Sequence, residues 1–222
     1  MNRVGALVAT DAREGGRSGG RAGEKRSLPA ALAADLDGAF ERLVRSHQHR
    51  LYGFALRLAG HTQDAEDITQ DAFVRAYRAL ASYPSERVRG LAVRPWLYRI
   101  ALNVFRNRAR GGRRHVVSLD HAGAEGALGI VDEDAAVVPE LALERAELKK
   151  ELAGLVSALP ARYRAAVVLR HVQDLGYREI ASVLGQPMGT AKANVHRGLR
   201  LLQDALSARP RRALASHGRR RR

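Results

Sequence analysis

Three carboxylates, Asp64, Asp67 and Asp71, recur at steps of three and four within HTQDAEDITQDAFVRAYRAL, a spacing that puts them on one face of a helix. Hard oxygen donors grouped in this way could hold Mg²⁺ and support metal-dependent cleavage of nucleic acid. No nucleophile or general base accompanies them, so that reaction lacks its other parts. Acids at the start of a helix also complement the positive end of its dipole, and this plainer reading is preferred. Such a face can in addition dock a basic partner. His47 and His49 have no companion at metal-ligand spacing, so neither a metal nor a cofactor is expected.

A second group of residues suits a polyanion. In RPWLYRIALNVFRNRAR, Leu97, Ile100, Ala101 and Val104 form an apolar stripe, and Arg99, Asn103, Arg106, Asn107 and Arg110 occupy the opposite side. Charge and amide donors on one face are what a nucleic-acid surface needs, although an ordinary solvated basic helix has the same pattern. Trp96, Tyr98 and Phe105 are candidates for stacking on unpaired bases, although for Trp96 the reading as a core anchor is preferred.

A third group lies in LGYREIASVLGQPMGTAKANVHRGLRLLQDAL. Leu175, Ile180, Ala181 and Leu184 share one side of a short helix that Gly185 can end, because glycine takes the left-handed cap conformation without steric cost. Pro187 and Gly189 make a turn, and Thr190 is expected to cap a second helix. That helix is expected to bury Val195, Leu199, Leu202 and Leu206 and to leave Lys192, Asn194, His196, Arg197 and Arg200 polar. The pattern is a helix-turn-helix, whose second helix enters the DNA major groove. Lys192 and Arg197 suit phosphate contact, whereas Asn194 and Arg200 have the donor geometry for base edges.

The rest of the chain must position these faces. Lys and Arg number 38 against 23 Asp and Glu, a net charge of +15 across 222 residues, which is the footprint of a polyanion binder. Cysteine is absent, which excludes disulfides and thiolate zinc sites and fits a reducing compartment; the cytoplasm is expected. No apolar run is long enough to insert into a membrane. Apolar residues recur at helical spacing from Asp35 to Gly60, with Thr62 as a candidate cap for the helix after it. The segment SYPSERVRGLAV reads as a loop that delivers Pro95 to the first turn of the basic helix. Leu141, Leu148, Leu152, Leu155 and Leu159 resume a helical period up to Pro160, and Ala161 to Val172 make one more helix.

The expected fold is therefore all-α: two small helical domains joined by a flexible acidic linker, the second carrying the helix-turn-helix. Residues 1–34 are expected to be a disordered arm, 35–111 the first domain, 112–140 the linker, 141–206 the second domain and 207–222 a basic disordered tail.

Taken in series, the blocks resemble an extracytoplasmic-function sigma factor, the small two-domain class of bacterial sigma factors. DAEDITQDAFVRAY is similar to that family's polymerase-binding segment, RPWLYRIALNVFRNRAR to its minus-ten promoter helix, and LGYREIASVLGQPMGTAKANVHRGLRLL to its minus-thirty-five helix-turn-helix. The resemblance covers about Asp35 to Leu206. It implies that Asp64, Glu66, Asp67, Gln70, Asp71 and Phe73 dock on the clamp helices of core RNA polymerase. It implies also that Arg94, Arg99, Asn103, Arg106, Asn107 and Arg110 face the minus-ten element near the melted start, with the loop before Arg94 close to a flipped base. Tyr177, Arg178, Thr190, Lys192, Asn194, His196, Arg197 and Arg200 would lie at the upstream element. Leu102 stands where a basic residue is frequent, Asn107 where an aspartate is common, and Ala191, Asn194 and Gly198 vary the recognition helix.

The implied function is promoter-specific transcription initiation, without catalysis, for a stress or envelope regulon. The implied partners are core RNA polymerase, promoter DNA and an anti-sigma factor. A stand-alone helix-turn-helix regulator is the main rival, and it would not need the block from Asp64 to Tyr77.

Overall fold

Asp35 ends one helix and begins the next. The computed structural model describes residues 27–111 and 139–208, and within the first span α1 (Leu28–Ala34) runs into α2 (Leu36–Ala59) through this single residue. The Asp35 carboxylate accepts the Gly38 N–H at 3.0 Å, satisfying one of the donors left unpaired at a helix start. Gly60 closes α2 with φ +83°, a left-handed cap that glycine adopts without steric cost. The first group continues with α3 (Thr62–Ser82), α4 (Ser85–Arg89) and α5 (Val93–Gly111). The second comprises α6 (Pro139–Ala158), α7 (Ala161–His171), α8 (Tyr177–Leu184) and α9 (Met188–Ser207). The described chain is helical throughout, with no strand among the described residues.

Several local expectations are corrected. The arm expected over 1–34 gives way at Leu28 to α1, because Pro29 in the first turn suits helix initiation and Leu32, 3% exposed, has α2 and α4 to pack against. The loop before Pro95 contains α4, whose Val88 is buried. Thr62 is the first helical residue and not the cap; His61 occupies that place without a side-chain cap bond. Thr190 likewise lies inside α9, which begins at Met188 with Pro187 as its cap residue. Helix α6 starts at Pro139, inside the stretch expected to be linker, and α9 reaches Ser207. Residues 1–26, 112–138 and 209–222, most of the expected arm, linker and tail, lie outside the described residues.

The buried side of α9 also differs from expectation. Leu199 and Leu206 are 37% and 46% exposed, while Ala191, Asn194, Val195, Gly198 and Leu202 are buried. Small residues win this face because α7 crosses close by: a Cβ on Gly198 would sit 2.5 Å from Val167 Cγ2 and 3.3 Å from Tyr163 Cβ. The expected stripe of α6 is likewise partly in solvent, with Leu148 and Leu152 exposed.

One apolar cluster runs through both groups. Leu43, Phe54, Ile68 and Leu97 of the first and Val168, Leu169, Leu175 and Ile180 of the second are fully buried in it. Helix α8 packs on α5, and α6 and α7 on α2, so the two groups are seated against one another.

Candidate docking and nucleic-acid surfaces

The residues implied for polymerase docking separate into two faces of α3. Glu66, Gln70 and Phe73, spaced by four and three, turn toward α2. With Phe40, Val44, Gln48, His49, Tyr52, Val74 and Tyr77 they line two adjoining shallow hollows of about 340 and 420 Å³. Phe40 meets Tyr77 edge to face at 5.1 Å, and the Tyr77 hydroxyl donates to Asp37 Oδ1 at 2.5 Å, which raises the phenol pKa above its ordinary value. Tyr77 is exposed here, whereas Phe40 is half-buried and Phe73 belongs to the core at 9% exposed, so the hollows offer ring edges bordered by amides and acids.

Asp67 and Asp71 point the other way, toward α5. Arg108 Nη1 donates to Asp67 Oδ2 and Nη2 to Asp71 Oδ2, each at 2.9 Å. The hydrogen bond from Arg108 is the main cause holding the Asp67 carboxyl below the usual carboxylate range, and the same two bonds raise the guanidinium pKa. Asp64 is exposed on this side. Among the described residues no group of three or more acids, histidines or cysteines is arranged to hold a metal ion. Sequence reasoning passed over Arg108, although a signal was present: it falls on the line of Leu97, Ala101 and Val104, a cation on an otherwise apolar stripe.

On α5, Asn103, Asn107 and Arg110 are exposed and Arg99 and Arg106 half-buried, all within one contiguous arc away from the core. Burial first, and then the charge of Arg110, lowers the Arg106 guanidinium below its ordinary pKa. Arg94 is separate from this arc. It is half-buried with Nε enclosed and without a hydrogen-bond partner, near the Tyr98 hydroxyl and His47. Tyr98 is only 2% exposed and meets the Phe54 ring at 5.0 Å, so it is a core ring in this arrangement and is not free to stack on a base. Trp96 is half-buried beside Tyr83.

Helix α8 begins with the Gly176 N–H donating to Glu179 Oε2 at 2.8 Å, and ends at Gly185 with φ +67°. The turn hands the chain to α9, which presents Thr190, Lys192, His196, Arg197 and Arg200 to solvent along one side. Arg178 is exposed on α8, while Tyr177 is half-buried with the Arg170 guanidinium 5.2 Å from its ring. Asn194 does not join the exposed row. It is 8% exposed, and its Nδ2 donates to Gln186 Oε1 at 3.2 Å across the turn. A side chain so placed braces the turn, because an amide bonded to its neighbour is withdrawn from the surface that would meet base edges.

A small helical body with one acidic and apolar face, one basic helix and a helix-turn-helix defines a DNA-binding protein that also docks on another protein. Residues 43–115 match Sigma-70 region 2 and residues 149–202 match Sigma-70, region 4. The chain is 36% identical to the ECF RNA polymerase sigma factor SigE of Mycolicibacterium smegmatis over 76% of its own length and 62% of that protein. It is 33% identical to SigW, an ECF RNA polymerase sigma factor of Bacillus subtilis, over 82% of its own length and 96% of that protein. This chain belongs to the ECF RNA polymerase sigma factors.

Two solved structures are similar. One is CnrH in complex with the cytosolic domain of CnrY, with a TM-score of 0.57 and 26% identity over 82% of this chain and 97% of that one. The sigma factor RpoE of Bartonella quintana, in complex with the anti-sigma factor NepR, shares the fold with a TM-score of 0.55 and 22% identity over 77% and 98%. A stand-alone helix-turn-helix regulator would not need the first region, which here carries its own family match. Among the described residues no helix is long and apolar enough to cross a membrane.

Proposed function

We propose that this chain is a dissociable specificity subunit that joins core RNA polymerase through α3 and the α2–α3 hollows, and directs it to promoters through α5 and α9. Glu66, Gln70 and Phe73 supply the docking surface, with Asp64, Asp67 and Asp71 as its acidic margin. Arg99, Asn103, Arg106, Asn107 and Arg110 meet the minus-ten element, with Arg94 at the start of the same helix. Tyr177, Arg178, Thr190, Lys192, His196, Arg197 and Arg200 meet the minus-thirty-five element, with Asn194 shaping the turn from within. The chain makes and breaks no bond; strand opening is driven by polymerase contacts and by capture of the unpaired strand, which must offset the few kcal/mol of stacking lost when a base flips. It works in the cytoplasm, where core polymerase and the chromosome are. The Bartonella quintana relative is solved with an anti-sigma factor, and a partner of that kind is expected for this chain.

The observation that carries this reading is the presence, on one helical body, of two separate cationic rows on α5 and α9 and a hollow of rings and acids between α2 and α3. The test is reconstitution with core polymerase on genomic fragments. Initiation at discrete sites should depend on the chain, and Glu66→Ala with Gln70→Ala should weaken core binding at least tenfold. Transcription no better than that of core alone on every fragment would refute the proposal.

A further inference from the structure

The acidic side of α3 already holds a cation, and that cation belongs to the chain itself. Asp67 and Asp71 stand one turn apart, and Arg108 bridges them, Nη1 to Asp67 Oδ2 and Nη2 to Asp71 Oδ2, each at 2.9 Å. Ile68 and Ala72, the residues that follow the two acids, are fully buried, so the backbone beneath both carboxylates is fixed by the core. One guanidinium that satisfies two carboxylates through its terminal nitrogens shows what the pair can receive, a planar cationic fork.

The bridge closes the solvent end of the seam between α3 and α5. Arg108 lies one turn beyond Val104, the last buried residue of the α5 stripe, and in the last turn of its helix, where a cation also complements the dipole. It is open to exchange, because the Arg108 side chain is 38% exposed and each carboxylate 43%. A bridge so exposed favours its closed form by a factor of only about two to five.

Asp67 and Asp71 are two of the acids assigned above to the margin of the polymerase-docking surface. Acids serve such a surface by attracting a cation of the partner, and Arg108 turns their two negative charges into one. An incoming cation must displace the guanidinium or settle beside it against like-charge repulsion, and either course lowers affinity. Arg108 gives little in return as an organiser, because an aspartate has only two side-chain torsions and the helix beneath it is already seated.

We propose that Arg108 is an internal competitor for the docking face: a counterion that occupies Asp67 and Asp71 in the free chain and thereby sets how tightly the chain binds core RNA polymerase. The inference rests on the docking role given to α3 above.

Gln203→Cys, at an exposed position of α9 in a chain without cysteine, takes a dye whose anisotropy reads binding of the full chain to core. In that background Arg108→Gln, which keeps the length and removes the charge, should bind core about two- to fivefold tighter at about 50 mM salt, the factor by which an exposed bridge holds its acids. The gain should shrink toward none at about 500 mM, where exposed charges are screened within about 4 Å. Arg108→Lys, which keeps the charge, should stay near the parent. Asp67→Asn with Asp71→Asn should weaken docking, and adding Arg108→Gln to that pair should bring no gain, because the competitor has lost its object. Thermal unfolding by circular dichroism should place Arg108→Gln at or below the parent, so that tighter docking does not come from a firmer fold. Docking that is unchanged or weaker in Arg108→Gln marks the bridge as a brace and overturns the proposal, as does a gain that survives in the Asn pair or is indifferent to salt. A parent chain that fails to bind core defeats the functional reading and the inference with it. A parent that binds core, joined to an Asn pair that binds as tightly, removes these acids from the docking face and overturns the inference alone.

Discussion

Gly198 provides a sharp test of whether a recognition-helix residue serves sequence reading or packing. It lies in the interior of α9, where alanine would ordinarily gain about 1 kcal/mol in helix propensity over glycine. Here the added methyl would sit 2.5 Å from Val167 Cγ2 and 3.4 Å from the Tyr163 carbonyl oxygen. Val167 is 4% exposed and β-branched, so it has one comfortable rotamer and little space into which to turn. Overpacking costs about 1–3 kcal/mol, and a 2.5 Å approach to a stiff, buried side chain belongs in the upper part of that range, about 2–3 kcal/mol, which leaves Gly198→Ala destabilised by about 1–2 kcal/mol after the propensity gain. For a chain of this size that corresponds to a fall in Tm of about 2–8 °C. Thermal unfolding by circular dichroism reads the effect, and Val167→Ala in the same chain should recover part of it, so that the two changes are not additive. Below the transition, the bound promoter sequences should match those of the parent, because position 198 faces α7. A Tm equal to or above the parent value, or strict additivity with Val167→Ala, would refute the reasoning.

Further outcomes follow from the same structure. Arg108→Gln should let the Asp67 carboxyl titrate closer to the ordinary aspartate value of 3.8, measured by carboxyl NMR, since the Arg108 hydrogen bond is the main cause of its depression. The sign is that of a lowered acid: the contribution to stability is present above 3.8, is lost as pH falls through the folded pKa, and should vanish from that window in the variant. His47 is depressed below 6.5 chiefly by burial, with opposing help from its bond to the Leu43 carbonyl. Stability should therefore be full above pH 6.5 and decline as pH drops toward the folded pKa, and His47→Gln should flatten that slope in denaturant titrations at pH 5 to 8. Lys192→Ala should weaken DNA binding evenly across sequences and reduce the salt slope by about one unit, whereas a shift in preferred sequence would contradict its role as a phosphate contact. Asn194→Ala should cost stability more than promoter preference, because it removes the bond to Gln186 from a nearly buried site.

What the sequence determined by itself is local. The apolar period of α2, α3 and α5, the glycine stops at Gly60 and Gly185, and the sidedness of Arg99 to Arg110 all follow from residue spacing, because helix geometry fixes which side chains share a face. The resemblance to the family rests on three blocks of the sequence itself, and it too needs no tertiary contact. The tertiary structure decided what depends on partners far along the chain. It divided the α3 residues between the α2 hollow and Arg108, and it turned Asn194 inward. It made Gly198 a crossing point and joined Tyr98 to Gln173 and Arg164 to Leu58, partners 75 and 106 residues apart. No periodicity carries such information, since a helical repeat specifies a buried face but not which helix will cover it, nor how closely.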